Sequence, residues 1–454
     1  MKPIFEIPPS AAKALSILQQ NGFEAYLVGG CVRDVLMRKC PKDGGLQPPK
    51  DWDITTSAMP QQVKAAFHGY RVFETGIKHG TVTVLSDNEP IEITTFREDV
   101  GYSDHRHPDT VVFAATLKDD VSRRDFTMNA IAYDLERGVI DYFGGMEDIE
   151  AQIIRCVGNA NLRFNEDALR ILRALRFSSV LGFGIEQETA DSIHQNKELL
   201  RSVSAERINT ELTKLICGRK AKDVLLEFAD VICAVVPEIF PMIGFNQHNK
   251  YHSFDVWQHT AVTIENSEPD SILRWAAFFH DIGKPDSFSL NEDGAGHFYG
   301  HAALSKSKAD AVMRRLRFDN ATRELVLTLI EHHDSSFHPE KKIVKRYLSR
   351  LGEETLRRLL LLKRADIMGH APSCQYRIQE IEDTRTVLEQ VIAEESCFSL
   401  KDLAVNGNDM ITLGLSGKSI KAALSFLLNA VIDEQAPNER TQLLKYFENH
   451  INKF

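Results

Sequence analysis

Apolar and polar positions follow two rhythms along this chain, and the change between them divides it. Residues 12–20 repeat with a helical period, and "EAYLVGG" is a short apolar run that ends in a glycine turn. "RVFETG", "HGTVTVLSD" and "PIEITTFRED" alternate β-branched with polar residues between Gly, Pro and Asp, which predicts strands. The first 150 residues are therefore predicted to be mixed α/β, ending near "VIDYFGGMEDI". From "NEDALRILRALRFSSVL" onward apolar residues recur at three and four, and nearly everything to Phe454 reads as helix. Pro237, Pro241 and Gly244 punctuate the chain before a histidine-rich stretch at 248–370. No repeat of fixed period and no low-complexity tract interrupts this order. The expected class is α+β, with a mixed α/β head (1–150), a helical neck (151–245), a histidine-rich helical domain (246–370) and a helical tail (371–454).

Composition narrows the partners. With 454 residues, 43% hydrophobic and 26% charged, the chain is long enough for several cores. No run reaches the roughly 20 apolar residues of a membrane span, and "MKPIFEIPPSAAKAL" lacks a signal-peptide pattern, so a cytoplasmic protein without membrane contact is expected. Seven cysteines without a Cys-x-x-Cys pair read as reduced packing residues. A net charge of −10 argues against a protein that coats nucleic acid, but Lys341–Arg364 holds nine Lys/Arg against two Glu. That run is either a solvated helix face or a phosphate contact.

The stretch "PKDGGLQPPKDWDITT" contains Pro-Lys-Asp twice, and only the second copy continues into Asp-x-Asp. On a strand, Asp51 and Asp53 point the same way, roughly 7 Å apart, and can share divalent cations. Asp43 is followed by two glycines and reads as a turn. Upstream, "LVGGCVRDVL" is strand, double glycine, helix: Gly29 and Gly30 let the backbone approach a ligand, and the helix start attracts phosphate. Arg33 and Asp34 follow. Glu92 in "IEITTFRED" is either a third carboxylate or a solvent-facing strand residue beside Thr94. A phosphate cradle with paired carboxylates is the equipment of two-metal phosphoryl transfer.

In order, "LVGGCVRD", "KDWDITT", "TGIKHGTVTV", "IEITTFR", "RRDFTMNAIAYD" and "FNEDALRILRALRF" resemble the tRNA CCA-adding nucleotidyltransferases and bacterial poly(A) polymerases of the polymerase-beta-like superfamily, over about residues 20–230. The resemblance implies Mg²⁺ on Asp51 and Asp53 with help from Glu92. It implies that Arg123, Arg124, Asp125 and Asn129 grip ribose and triphosphate, with Asp125 partnering a ribose 2′-hydroxyl. The other reading of "SRRDFTMNA" is a charged helix start capped by Ser122. Asp167 and Arg170, three apart, are expected on one helix face, where acceptor and forked donor can read a base edge. In the family the matching pair accepts CTP or ATP; the alternative is a surface ion pair. Arg173 and Arg176 continue the stripe toward triphosphate or RNA. Family members run almost directly from the glycine helix to Asp-x-Asp, whereas about eight residues, Asp43 to Lys50, are inserted here. The loop "EDVGYSDHRHPDTVVF", with Arg106 and Asp109, resembles the one needed to switch from CTP to ATP and favours complete CCA addition over poly(A) synthesis. The implied partners are tRNA, at its 3′ end and acceptor arm, with CTP and ATP.

Downstream, His259, His280, Asp281, His301, His332, His333 and Asp366 are spaced along successive predicted helices. Imidazoles and carboxylates so placed can converge on a metal-activated water. "HDIGKP" and its partners resemble the HD phosphohydrolase superfamily over about residues 248–370. Either His332 or His333 would ligate, since adjacent helical residues diverge by about 100°. The metal would be a divalent transition metal or Mg²⁺, and the implied activity is on cyclic phosphates or monoesters at RNA ends. A hydrolase whose head only binds RNA is the reading from another class, and a non-catalytic RNA scaffold a third. "TLGLSGKSI" is set aside as a P-loop because Gly414 and Gly417 are too close together.

Overall fold

The computed structural model describes residues 6–38, 49, 51–100, 110–113, 116–394 and 397–450. The first Pro-Lys-Asp copy with Asp43, the inserted segment to Lys50 apart from Pro49, and Arg106 and Asp109 lie outside the described residues. The chain forms two compact units, Met1–Pro237 and Glu238–Phe454.

The first unit opens with α1 (Pro9–Gln20), β1 (Ala25–Val28), α2 (Gly30–Arg38), β2 (Trp52–Thr56), α3 (Pro60–Ala66), β3 (Arg71–Phe73), β4 (Thr81–Ser86) and β5 (Glu89–Thr95). A separate antiparallel pair, β6 (Arg97–Val100) and β7 (Thr110–Phe113), precedes α4 (Leu117–Ser122), β8 (Ile131–Asp134), β9 (Gly138–Asp141) and α5 (Gly145–Ala151). The main sheet has the order β3-β4-β5-β2-β1-β8-β9 and is antiparallel except for β2 against β5. Central β1 is buried at all four positions, which is why "AYLV" is continuously apolar, whereas β4 alternates between buried and half-buried.

Two expectations need correction here. "PIEITTFRED" is not one strand: at Phe96, fully buried, the amide turns to the Thr56 carbonyl (2.7 Å) and the chain leaves the main sheet. Ser122 does not start a helix but ends one whose N-cap is Thr116, so "RRDFTMNA" is a helix exit leading into a short 3₁₀ turn, Thr127–Asn129.

The unit continues with β10 (Ile153–Ile154), α6 (Ala160–Glu166), α7 (Leu169–Leu181), β11 (Gly184–Ile185), α8 (Gln187–Asn196), α9 (Ala205–Ile216), α10 (Ala221–Glu227) and α11 (Ala229–Val235). Short β10 and β11 pair in parallel, a feature the helical period did not announce.

In the second unit α12 (Val256–Asn266), α13 (Ser271–Phe279) and α14 (Lys284–Ser287) lead into a two-strand turn, β12 (Ser289–Leu290) and β13 (Gly296–His297). Then follow α15 (His301–Arg315), α16 (Asn320–His332), α17 (Lys341–Leu351), α18 (Glu353–Met368) and α19 (Arg377–Ala393). Trp257, Trp275, Phe278 and Phe279 fill the core around α12 and α13. The tail, α20 (Gly407–Thr412), α21 (Lys418–Ile432) and α22 (Arg440–Glu448), has its own apolar cluster around Met410, Leu427, Leu443 and Phe447. No strand directly precedes Gly414–Lys418, consistent with setting that segment aside as a P-loop. The basic run on α17 and α18 is met by acids: Lys341 by Glu394 (2.6 Å), Arg346 by Asp433 (2.6 Å), Arg358 by Glu354 (2.7 Å) and Arg364 by Glu382 (3.1 Å). Its charge is thus largely answered within the fold, which favours the solvated face. Among the described residues no helix is long and apolar enough to cross a membrane.

Helix α5 presses directly on the "RRDFTMNA" segment. A Cβ on Gly145 would stand 2.2 Å from the Thr127 carbonyl oxygen, and Thr127 Oγ1 donates to Asp148 at 2.6 Å. Gly145→Ala should therefore destabilise the first unit by about 1–3 kcal/mol, read as a lower urea midpoint at unchanged slope. A midpoint equal to wild type would mean that α5 can move away without cost.

Candidate active site and metal centre

The parallel register of β2 and β5 builds the first site. It makes Asp53 and Glu92 direct partners across the ladder, so their side chains share a face, and Asp51 lies two residues earlier on that face. Asp51 and Glu92 are exposed and Asp53 half-buried. Burial, with the charges of Glu92 and Asp51 against that of Arg124, pushes the Asp53 carboxyl up to about 6. Asp53 and Glu92 thus stand level on one face with Asp51 two residues before, and Asp53 is the one of the three that is reluctant to ionise.

The glycine turn adjoins this seat. Gly29 has φ +82° and follows β1, whose Leu27 pairs with Ile54 of β2. A Cβ on Gly29 would lie 2.9 Å from Arg124 Nη1, so the glycine leaves room for that guanidinium. Arg33, on the first turn of α2, reaches Asn129 Oδ1 (2.7 Å) and Asp34 (2.6 Å). Arg33, Arg173 and Arg176 surround the Phe177 ring, with guanidinium carbons 5.0, 5.4 and 3.9 Å from its centroid. Burial, with the neighbouring Arg173 and Arg33 charges and against that of Glu211, pushes Arg176 down to about 10. Each of the three has a carboxylate partner: Arg33 has Asp34, Arg173 has Asp125 (2.6 Å) and Arg176 has Glu211 (3.0 Å).

Asp125 holds this cluster in place. Its Oδ2 accepts from Arg173 Nε (2.8 Å) and Nη2 (2.6 Å), and its Oδ1 from Asn129 Nδ2 (3.0 Å) and the Phe126 amide (2.8 Å). Burial alone would raise this carboxyl, but the Arg173 charge and these hydrogen bonds hold it well below the usual carboxylate range. Its accepting capacity is met by protein, so the geometry makes it an organiser of Arg173 and Asn129 before any sugar contact. Asp120, absent from the sequence reading, does the same for Arg123: buried, it accepts from Arg123 Nη2 (2.8 Å) and from Thr55 Oγ1 (2.8 Å).

The helix-face argument for Asp167 and Arg170 does not survive. Helix α6 stops at Glu166, Asp167 is extended (φ −137°, ψ 103°), and α7 begins at Leu169. Asp167 Oδ1 caps the new helix at the Leu169 amide (3.1 Å), and Oδ2 pairs with Arg207 of α9 (2.8 Å). Arg170 pairs with Glu166 (2.5 Å) and donates to the Arg123 carbonyl (2.8 Å). The two side chains flank a helix break, Asp167 held by Arg207 and Arg170 by Glu166. Glu166 and Arg207 were missed, although Glu166 precedes Asp167 in "NEDALR".

In the second unit, His259, His280, Asp281, His301, His333 and Asp366 converge. His259 Nε2 lies 2.9 Å from Asp366, His280 Nε2 3.2 Å from Asp281, and His301 Nε2 3.5 Å from the other Asp281 oxygen. The Nδ1 atoms of His259, His280, His301 and His333 face backbone carbonyls at 2.7–3.1 Å. Nδ1–H donation there turns the Nε2 lone pairs inward, so His259 faces His280 at 3.3 Å and His301 faces His333 at 3.1 Å. Lone pairs so opposed fit a shared cation. His332 is left out, its ring edge-on to Tyr347.

His252 and His370, not singled out in the sequence, complete a further group with His259. Their Nδ1 atoms are buried without a hydrogen-bond partner among the described residues. Burial, then the Lys284 charge, pushes His252 down to about 2, and burial pushes His370 down to about 4 against the pull of Asp366, leaving neutral imidazoles able to ligate.

Asp125→Asn should take from half-buried Arg173 its nearest carboxylate, costing about 1–3 kcal/mol in urea unfolding near neutrality. Because the folded Asp125 carboxyl is depressed, its contribution is full above the unfolded value near 3.8 and is lost as pH falls through the folded one. The gap between wild type and variant should therefore narrow below about pH 4. A gap constant down to pH 2 would exclude the charged Asp125–Arg173 clamp.

Residues 25–155 match the poly A polymerase head domain, 182–232 a probable RNA and SrmB-binding site of polymerase A, and 250–368 the HD domain. A CCA-adding enzyme of Lactobacillus helveticus is 46% identical over 233 residues, 51% of this chain and 56% of that protein. The alignments with this and similar Lactobacillus relatives span only about half of those proteins. A CCA-adding enzyme of Staphylococcus aureus is 32% identical over 452 residues, 99% of either chain. The solved CCA-adding enzyme of Bacillus stearothermophilus in complex with CTP superimposes with a TM-score of 0.74 at 28% identity, over 98% of this chain and 99% of that one. The Thermotoga maritima CCA-adding enzyme complexed with tRNA shares the fold at a TM-score of 0.59 and 18% identity, over 98% and 96% of the two chains.

Proposed function

The chain belongs to the CCA-adding enzyme family, and from that premise we propose that it completes tRNA 3′ ends in the cytoplasm, adding C, C and A from CTP and ATP without a nucleic-acid template. The observation that carries this reading is the β2–β5 register, which sets Asp53 beside Glu92 next to a glycine turn and a cluster of buried and half-buried arginines. The family implies a divalent cation, and Asp51, Asp53 and Glu92 would hold Mg²⁺, which when bound neutralises charge on the triphosphate and on the attacking oxygen.

In each addition the tRNA 3′-hydroxyl oxygen bonds to the α-phosphorus of the nucleotide. The bond to the β-phosphate bridge breaks, pyrophosphate leaves with its electron pair, and the hydroxyl proton passes to solvent. Gly29, Gly30, Arg33, Arg123, Arg124, Arg173 and Arg176 orient the triphosphate, and Asp125 and Asn129 keep that arginine set in register. Asp167 and Arg170 read the base, exchanging Arg207 and Glu166 for its polar edge. The neck and tail contribute surface for the tRNA acceptor arm.

For the second unit we infer a metal-dependent phosphohydrolase on cyclic phosphates or monoesters at RNA ends. Imidazole and carboxylate donors at its centre fit a divalent transition metal or Mg²⁺. Water oxygen would bond to phosphorus, the P–O ester bond would break, and the departing ribose oxygen would take the proton.

Purified protein with tRNA lacking its CCA end, Mg²⁺ and both nucleotides should extend the tRNA by three residues on a sequencing gel. Long tails with ATP alone would move the assignment to a poly(A) polymerase. Asp51→Ala and Asp53→Ala should each lower incorporation by about 10²–10³-fold or more, while Asp43→Ala leaves it near wild type. Asp167→Ala should relax the choice between CTP and ATP; unchanged selectivity with lower activity would assign it to holding the helix break instead.

A further inference from the structure

The row of side chains that holds Asp53 and Glu92 does not end with them. Across the sheet Asp53 pairs with Glu92, Glu92 with Thr83 of β4, and Thr83 with Phe73 of the edge strand β3. Partners across a ladder share a face, so these four side chains run in one line from the carboxylates to the sheet edge. The alternate positions on β4 and β5, Val82, Val84, Ile91 and Ile93, are buried, which turns the row away from that apolar packing. Phe73 is 39% exposed, and the guanidinium carbon of Arg71, two residues before it on the same face, lies 5.0 Å from its ring centroid. One exposed phenylalanine is ordinary. This one stands in register with the carboxylates and carries a cation against its ring, so it extends the site in a definite direction.

That direction is the one a tRNA end must use. The glycine turn follows β1, on the flank of β2 opposite to β5. Attacking and leaving oxygens lie roughly in line at the transferred phosphorus, so a hydroxyl that displaces pyrophosphate toward the β1 side approaches from the β5 side. We propose that β4 and β3 form the platform for the tRNA 3′ terminus, a terminal base stacking on Phe73 and an adjoining phosphate pairing with Arg71. The inference rests on the nucleotidyl-transfer reading of this unit and adds Phe73 and Arg71 to it. Three strand spacings of about 4.8 Å put Phe73 about 14 Å from Asp53, a span of about two nucleotides. Thr83, half-buried and short, leaves the path between them open. Single-stranded RNA ends present unstacked bases to aromatic side chains. Stacking also suits an acceptor whose last residue changes with every addition, because each base offers a π-face.

The test uses the full-length protein with Mg²⁺, CTP and two RNA hairpins that mimic the acceptor stem with a two-nucleotide 3′ overhang. One keeps both overhang bases and the other has both removed. Kd for each hairpin, KM for hairpin and for CTP, and kcat are read separately. Phe73→Ala should raise Kd and KM for the base-bearing hairpin about tenfold or more and leave KM for CTP unchanged. Phe73→Tyr should restore binding, whereas Phe73→Leu, apolar but without a π-face, should not. Wild type should bind the base-free hairpin about tenfold more weakly, and Phe73→Ala should bind it no worse than wild type does. Arg71→Gln should weaken both hairpins alike and flatten the salt dependence of binding. Wild-type affinity in Phe73→Ala, rescue by Leu as complete as by Tyr, or an equal rise in the KM for CTP overturns the platform. Extension by wild type that is indifferent to Phe73 sinks the platform and spares nucleotidyl transfer. Wild type that extends neither hairpin nor tRNA lacking its CCA end overturns the nucleotidyl-transfer reading, and the platform with it.

Discussion

One parallel pairing in an otherwise antiparallel sheet governs the first unit. Because β5 runs alongside β2 in the same direction, Glu92 comes level with Asp53 and the two carboxylates must share a face. The next residue on that face, Thr55, donates to buried Asp120, which in turn fixes Arg123. A single strand face thus carries the negative groups at one end and anchors the positive ones two residues on. A slip of one residue between β2 and β5 would turn Glu92 to the other face and leave Asp53 without its neighbour.

The charge distribution follows from this arrangement. Asp53 is pushed toward neutrality by burial and by its fellow carboxylates, and Arg176 likewise by burial and by fellow arginines. Each is the member of its group that burial and like charges press hardest. Asp125 prevents the arginines from flying apart in the meantime. It restrains Arg173 directly and Arg33 through Asn129, so the cluster is assembled before substrate arrives.

What the sequence revealed and what it hid differ in range. The glycine turn, Asp-x-Asp and "HDIGKP" are legible because a few consecutive residues determine their local geometry. The break at Asp167 was hidden by a helical period that runs straight through "NEDALRILRALRF", though an Asp ahead of an apolar run is itself a capping signal. His252 lies in a loop with no period to read, and His370 just past the end of α18; only the tertiary fold brings them to His259. The parallel strand order and the acids facing the basic run on α17 and α18 are equally long-range. Neither leaves a mark in any window of ten residues.

The histidine–aspartate cluster of the second unit shows how local chemistry prepares a long-range site. His280 and His333 each close a helix as its last, half-helical residue, and His301 opens one; all three turn Nδ1 back to a carbonyl three residues earlier, Ala277, Ile330 and Phe298. The Ala277 and Ile330 carbonyls lie in the last turns of α13 and α16, where intrahelical amide partners run out, so an imidazole N–H answers them at little cost; the Phe298 carbonyl accepts from the His301 amide as well, at 3.1 Å. The imidazole hydrogen bond leaves Nε2 of each ring to face Asp281, at 3.2 Å for His280, 3.5 Å for His301 and 3.7 Å for His333. Burial opposes charge on His280, yet Asp281 and Asp366 push it up to about 10, a measure of how strongly this carboxylate pair demands a positive partner. His280, His301 and His333 are thus oriented by hydrogen bonds to their own stretches of chain before any ligand arrives.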